Sequence, residues 1–173
     1  MPGSGKSTIV SALKTRGFEA LNLGDGVRAE AKRRYLEPSG DNLGKLMLEL
    51  REKNGPGAIA ELLTEPIKNS QSKVIIIDGV RSIAEIEVLK NVGSVKLLSI
   101  EATADTRYKF LSSRGRSDDP ATREKFEERD NRELGVGIGE SIAIADETIS
   151  NSDVTLDELT ELASKTIEKW IDT

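Results

Sequence analysis

The first eight residues, Met1-Pro2-Gly3-Ser4-Gly5-Lys6-Ser7-Thr8, constrain this chain more than any other stretch. They follow the end of the pattern Gly, any four residues, then Gly-Lys-Ser/Thr, a loop that wraps phosphate in backbone N–H groups and opens directly into a helix. Gly3, Ser4 and Gly5 keep that concavity clear of obstructing Cβ atoms. Lys6 is then placed to reach the β- and γ-phosphates and Ser7 to ligate Mg²⁺, while the helix from Lys6 presents its positive end to the anion. Counting back from Gly5, the first glycine of the pattern falls one position before Met1, and the strand that launches the loop falls further upstream. The strand so displaced belongs to the sheet that carries the loop. The expectation is a gap or a disturbed pairing between strands at Val74 to Ile77 and at Lys96 to Ile100.

Apolar positions Ile9, Val10 and Leu13 recur at helical spacing from Lys6 to about Arg16, and Gly17 stops that helix. Phe18 to Leu23 reads as a strand, followed by the turn Gly24-Asp25-Gly26 and a helix to about Leu36 that Pro38, Ser39 and Gly40 end. Further helices are predicted at about 42 to 53 and 58 to 69, with Pro66 placed to kink or shorten the second. Lys73 to Asp78 and Val95 to Glu101 have the β-branched apolar content of strands buried on both faces, with a helix at about 83 to 90 between them. Helices at about 105 to 113 and 120 to 134, a glycine-spaced piece at 135 to 139, a short helix to about 145, a strand at 147 to 150 and a helix at 156 to 171 complete the pattern. Such alternation implies an α/β fold with a parallel sheet flanked by helices and ligands at the carboxyl ends of its strands.

At 173 residues the chain suits a single domain over 1–173. A net charge of -5 argues against a nucleic-acid partner held by a basic surface, without excluding local basic pockets. With no cysteine and no histidine, disulfides and thiolate metal sites are impossible, and proton transfer falls to carboxylate, lysine, tyrosine or water. The longest apolar cluster, Val74 to Ile77, is strand-sized and no signal peptide is seen, which gives the expectation of a cytoplasmic protein with no membrane partner.

Three strand ends converge on the loop. Asp78, closing an apolar strand, suits a Mg²⁺ ligand better than a helix cap, because Ser82 already serves the next helix. Gly79 then permits close backbone approach and Arg81 faces a substrate phosphate. At the second strand end, Asp25 either caps the following helix or orients the acceptor, and Arg28 is placed one turn in for an anion, where a forked guanidinium suits phosphate. The third region carries Arg107, Arg114, Arg116, Arg129 and Arg132 around a glycine turn, as a flap that supplies positive charge to phosphoryl transfer. Pairs such as Glu128 with Arg132 read equally as solvated ion pairs, so Arg114 and Arg116, which flank Gly115, are the catalytic candidates.

The loop, Gly-Asp-x-x-Arg, Asp78-Gly79-Val80-Arg81-Ser82, Arg114-Gly115-Arg116-Ser117-Asp118-Asp119 and Gly137-Ile138-Gly139-Glu140 together resemble the nucleoside monophosphate kinase group, which includes adenylate kinase and dephospho-CoA kinase. More closely, they resemble an archaeal family of adenylate-kinase-related ATP-binding proteins, over nearly the whole chain. That resemblance implies a P-loop NTPase of three α/β/α layers with sheet order 2-3-1-4-5, strand 1 falling upstream of Met1, a core at 1–28, 70–113 and 134–173, a helical acceptor-binding lobe at 29–69 and a lid at 114–133. It implies ATP and Mg²⁺ as cofactors, with Met1 to Thr8 on ATP, Asn151 beside the adenine, Ser7 and Asp78 on the metal, and Arg28, Gly79 and Arg81 on the acceptor. Lys6, Asp25, Arg114 and Arg116 become the catalytic set. Asn22-Leu23 stands where adenylate kinases place a Ser-Thr pair, which weighs against AMP as acceptor.

The reading that follows is transfer of the γ-phosphoryl group from ATP to a nucleotide or nucleotide-like small molecule. Phosphorylation of a hydroxyl, as in dephospho-CoA kinase, would require Asp25 as general base. A slow ATPase acting as a switch or RNA-maturation factor is the third reading. The acceptor, ATP against GTP, and the oligomeric state stay open at this point.

Overall fold

The computed structural model describes residues 1–115 and 119–172. In chain order these form α1 (Lys6–Thr15), β1 (Glu19–Asn22), α2 (Leu23–Arg33), α3 (Gly40–Asn54), α4 (Ala58–Asn69), β2 (Ile75–Asp78), α5 (Ile83–Lys90), β3 (Leu98–Glu101), α6 (Ala104–Arg114), α7 (Arg123–Val136), α8 (Ile138–Ala143), β4 (Glu147–Ser150) and α9 (Leu156–Ile171). Helices dominate and the strands are short and parallel.

The strands form two separate pairs. β1 lies parallel to β2, with Asn22 opposite Asp78, and β3 lies parallel to β4, with Glu101 opposite Ser150. No ladder joins β2 to β3 among the described residues, so the interruption anticipated from the loop is present. Side chains bridge what hydrogen bonds do not. Ile9 and Leu13 of α1 pack with Ile100, Ile149, Leu159, Ala163 and Ile167, and Ile76 of β2 joins that same cluster. Each such leucine or isoleucine, fully removed from water, contributes roughly 1.5–3 kcal/mol, which is how α1 and α9 hold the two pairs together.

A second cluster unites α2, α3, α4 and α5 through Leu23, Val27, Leu46, Leu50, Ile59, Leu63 and Leu89. It places the helical segment between β1 and β2 against the end of β2 where Asp78 and Arg81 emerge.

Local chemistry explains most boundaries. Ser39, Ser82, Thr103 and Thr122 cap α3, α5, α6 and α7 with side-chain oxygens, and α9 begins with a full Thr155–Glu158 capping box. α2 differs from expectation. The helix starts at Leu23 directly after β1, so Gly24-Asp25-Gly26 is its first turn, because Asn22 ends the strand and caps the helix at once. Asp25 is therefore not the cap. Pro66 does not shorten α4, which runs on to Asn69 with the proline inside it. Gly137, at φ 106°, separates α7 from α8 where a glycine-spaced piece was expected, a backbone angle that L side chains rarely adopt. No helix among the described residues is long and apolar enough to cross a membrane.

Candidate functional site

The loop at Met1 to Gly5 is shaped by three side chains that each take a backbone carbonyl. Lys6 Nζ donates to the Met1 carbonyl at 2.7 Å, Arg107 Nη1 to the Pro2 carbonyl at 3.2 Å, and Asn151 Nδ2 to the Ser4 carbonyl at 3.0 Å. In a trans peptide the C=O and the following N–H point in opposite directions. Tying back the Pro2 and Ser4 carbonyls therefore turns the Gly3 and Gly5 N–H groups to the other side. The N–H groups of Lys6 and Ser7, at the start of α1, have no hydrogen-bond acceptor among the described residues. The result is a concave set of donors at a helix N-terminus, the arrangement that receives an anion.

Glycine is needed at two of these positions for different reasons. A Cβ on Gly3 would lie 2.7 Å from the Arg107 carbonyl oxygen, so α6 packs directly on the loop. A Cβ on Gly5 would lie 2.5 Å from Asn151 Nδ2, and its φ of 101° is itself strained for any other residue. Ser4 is wholly buried, and its hydroxyl lies 3.2 Å from Lys6 Nζ. Thr8 is exposed and belongs to α1, its N–H donating to the Gly5 carbonyl.

Burial pushes the Lys6 ammonium below its ordinary range. The carboxylates of Asp78 and then Glu133 oppose that shift, while Arg81 and Arg107 add to it. Lys6 thus sits among two acids and two arginines, an environment that favours a further anion.

Asp78 is buried at the end of β2, where its Oδ2 accepts from Asn22 Nδ2 at 2.9 Å and from Ser7 Oγ at 3.3 Å. The β1–β2 register puts Asn22 opposite it. The Ser7 hydroxyl and Asp78 carboxylate fit Mg²⁺, which takes one or two protein oxygens and fills its octahedron with water and phosphate. No group of three acids or other metal ligands is present among the described residues.

Beyond Asp78, Gly79 (φ 95°) turns the chain and Arg81 enters a cavity of about 230 Å³ between α3 and α7. Lys45, Arg51, Arg132 and Glu133 share its lining. Arg81 Nε is 2.8 Å from Glu133 Oε2, and its Nη1 is 3.5 Å from Met47 Sδ. Beneath it, the wholly buried Glu85 accepts from the Arg81 N–H at 2.7 Å and from Arg51 Nη2 at 2.9 Å. One buried carboxylate therefore holds both the loop and an arginine of α3.

The structure does not bring every candidate to this place. Arg28 lies against Asp25 at 2.5 Å on an exposed face of α2, with side chains 51% and 69% exposed, and neither lines the cavity. Arg114 ends α6 and pairs with Asp119. Arg116 lies outside the described residues. Asn151, expected beside an adenine, is instead buried under the loop with its amide on the Ser4 carbonyl.

Residues 1–127 match the AAA domain. The chain is 37% identical over 169 residues to a UPF0200 protein of Hyperthermus butylicus, covering 98% of this chain and 90% of that one. It is 42% identical over 173 residues to a UPF0200 protein of Methanothrix thermoacetophila, covering 98% and 93%. The chain belongs to the UPF0200 family. The shikimate kinase of Bacteroides thetaiotaomicron superposes with a TM-score of 0.60 at 13% identity, covering 96% of this chain and 93% of that one. The fold of this UPF0200 chain is thereby that of a P-loop kinase.

Several residues that organise the loop and the cavity have roles that sequence reasoning did not give. Arg107 is buried, forms two hydrogen bonds to Asp130 at 2.8 and 2.5 Å, and stacks 4.9 Å from the Phe126 ring centroid while holding the Pro2 carbonyl. It braces the loop from α6. Glu85 was half legible, since Ser82-x-x-Glu85 is a capping-box pattern, but its carboxylate goes to Arg81 and Arg51 instead. Asn22 carried a legible signal too, as an asparagine placed just before a helix. Glu133 carried none.

Proposed function

We propose that this protein is an ATP-dependent phosphotransferase that moves the γ-phosphoryl group to a small, anionic, nucleotide-like acceptor. The observation that carries this reading is adjacency: a loop with free helix-start N–H groups and a buried lysine lies beside a cationic cavity entered by Arg81. A nucleotide-binding loop alone would serve hydrolysis or signalling; a second charged cavity next to it supports transfer between two bound molecules.

In this reading the Gly3, Gly5, Lys6 and Ser7 N–H groups and the Lys6 ammonium bind the triphosphate. Mg²⁺, held by Ser7 and Asp78, would neutralise charge on the β- and γ-phosphates. Asn22 orients Asp78, while Asn151 and Arg107 keep the loop in its binding shape. Arg81 faces the acceptor, Arg114 and Arg116 carry charge at the lid, and the 29–69 segment forms the acceptor wall. Asp25 and Arg28, tied to each other at the surface, stand further from the chemistry than their sequence positions imply.

The test is ATP consumption by the purified protein with and without nucleoside monophosphates, coenzyme precursors and hydroxy acids. Stimulation by one acceptor class, abolished by Lys6→Ala, is the expected outcome. Turnover indifferent to every acceptor would overturn the reading in favour of a slow ATPase.

A further inference from the structure

Two acids line the cavity beside the loop, Asp41 and Glu133, and Glu133 is the buried one whose position decides what can react there. Glu133 is only 6% exposed, lies in the last turn of α7, and engages Arg81 Nε at 2.8 Å. It also lies near enough to Lys6 to support that ammonium's charge against burial. One carboxylate therefore stands between the acceptor arginine and the lysine of the loop. A phosphate nucleophile approaching the γ-phosphoryl group would have to bring its own negative charge to that place and compete with Glu133 for Arg81. A hydroxyl brings a hydrogen-bond donor and no charge.

Asp41 aside, the charged groups of the remaining lining are cations. Lys45 and Arg132 form no ion pair with a described residue, and Arg51, paired with Glu85 through Nη2, keeps a buried Nε with no hydrogen-bond partner. They offer positive charge away from the Arg81–Glu133 pair. At about 230 Å³ the space falls below the roughly 300–1,000 Å³ of clefts that bury drug-sized ligands.

We propose that Glu133 sets the acceptor class: it withholds Arg81 from an acceptor phosphate and receives the hydrogen bond, then the proton, of an acceptor hydroxyl. The acceptor is a compact anionic molecule with a free hydroxyl, its anionic end held by Lys45 and Arg132. This rests on the phosphotransferase reading above. The acceptor oxygen bonds to the γ-phosphorus as the bond from that phosphorus to the β,γ-bridging oxygen breaks. The electron pair leaves with the nucleoside diphosphate, and the hydroxyl proton passes to a Glu133 Oε.

The experiment is calorimetric titration of inorganic phosphate into the full chain already saturated with a non-hydrolysable ATP analogue, so that the loop itself is filled. Glu133→Gln is expected to bind phosphate at least about tenfold tighter than the wild type, because Arg81 is released and a like charge is removed. Adding Arg81→Met to Glu133→Gln should erase that gain. The proposal is overturned if Glu133→Gln binds phosphate no tighter or if the double variant keeps the gain. Glu133→Asp, which keeps the charge but shortens the reach to Arg81, answers the question even where Glu133→Gln does not fold: it too should bind phosphate tighter than the wild type, and equal or weaker binding overturns the proposal. Failure of the wild type to bind the analogue, read before phosphate is added, counts against the phosphotransferase reading and is thereby kept apart.

Discussion

The phosphate loop and the cationic cavity lie side by side, yet they are built in opposite ways. The loop draws its positive potential from backbone N–H groups, aimed by glycine angles and by side chains that pull carbonyls back. The cavity draws its potential from arginines, and the inner two are each matched to a buried acid, Arg51 to Glu85 and Arg81 to Glu133. Peptide dipoles offer charge without the desolvation of a full ion, so the loop presents donors that are always available. A buried guanidinium is tolerable only when paired, so these two cations are available to a ligand only on the terms of their acids. In the proposed function the loop is therefore general for phosphate, and the cavity is where selectivity would reside.

The comparison is most sharply broken at the brace under the loop. Arg107→Ala leaves Asp130 and the Pro2 carbonyl without their partner. Loss of one member of such a buried pair is expected to cost about 3–5 kcal/mol. At roughly 2–4 °C per kcal/mol for a chain of this size, the melting temperature should fall on the order of 10 °C, and Arg107→Lys should not restore it because one ammonium cannot make the forked contact. On the cavity side, Glu85→Ala should cost about 3 kcal/mol in a denaturant melt, since Arg51 loses its carboxylate and the Arg81 N–H its acceptor. If Glu85→Ala were neutral, the cavity's cations would not depend on their acids and the contrast would fail.

Gly5→Ala probes the loop alone. The strained backbone angle and the clash with Asn151 should cost about 1–3 kcal/mol and weaken binding of an ATP analogue, measured by calorimetry. Asp25→Asn should change turnover by less than about tenfold, because the exposed Asp25–Arg28 pair carries little energy and lies off the cavity. A loss of several orders of magnitude would return Asp25 to the acceptor.

The smallest effect is expected away from both sites. Hydrogen bonds from Arg33, and then Arg34, hold the Glu30 carboxyl down to about 2, against the opposing pull of desolvation. A depressed carboxyl contributes stability above its unfolded value, and that contribution is lost as pH falls from the model-compound value of 4.5 towards about 2. Glu30→Gln should therefore flatten the acid limb of the stability curve without altering nucleotide binding.

Much of this was legible from residue order. The helix-capping serine at Ser82, the loop glycines, and Asp78 at a strand end all follow from spacings of a few residues, and the structure places them as expected. The interrupted sheet was legible too, from the position of Gly5 relative to the pattern. The cap at Asn22 was not read: the helix begins at the residue after it, which turns the Gly-Asp-Gly segment from a loop into an exposed first turn. The contacts of Asn151 and Arg107 with the loop carbonyls were not legible, because partners 147 and 105 positions apart meet only through packing.

The sequence by itself determined the backbone chemistry of the phosphate loop, since φ preferences, caps and a helix start are set by neighbours within one turn. Only the tertiary structure decided that Asn22 meets Asp78, Asn151 meets Ser4, and Glu133 stands on Arg81. Those meetings join residues 56, 147 and 52 positions apart, the last being 133 minus 81. They depend on strand register and on how α7 packs, and a buried carboxylate reaches an arginine there because neither can be left unpaired away from water.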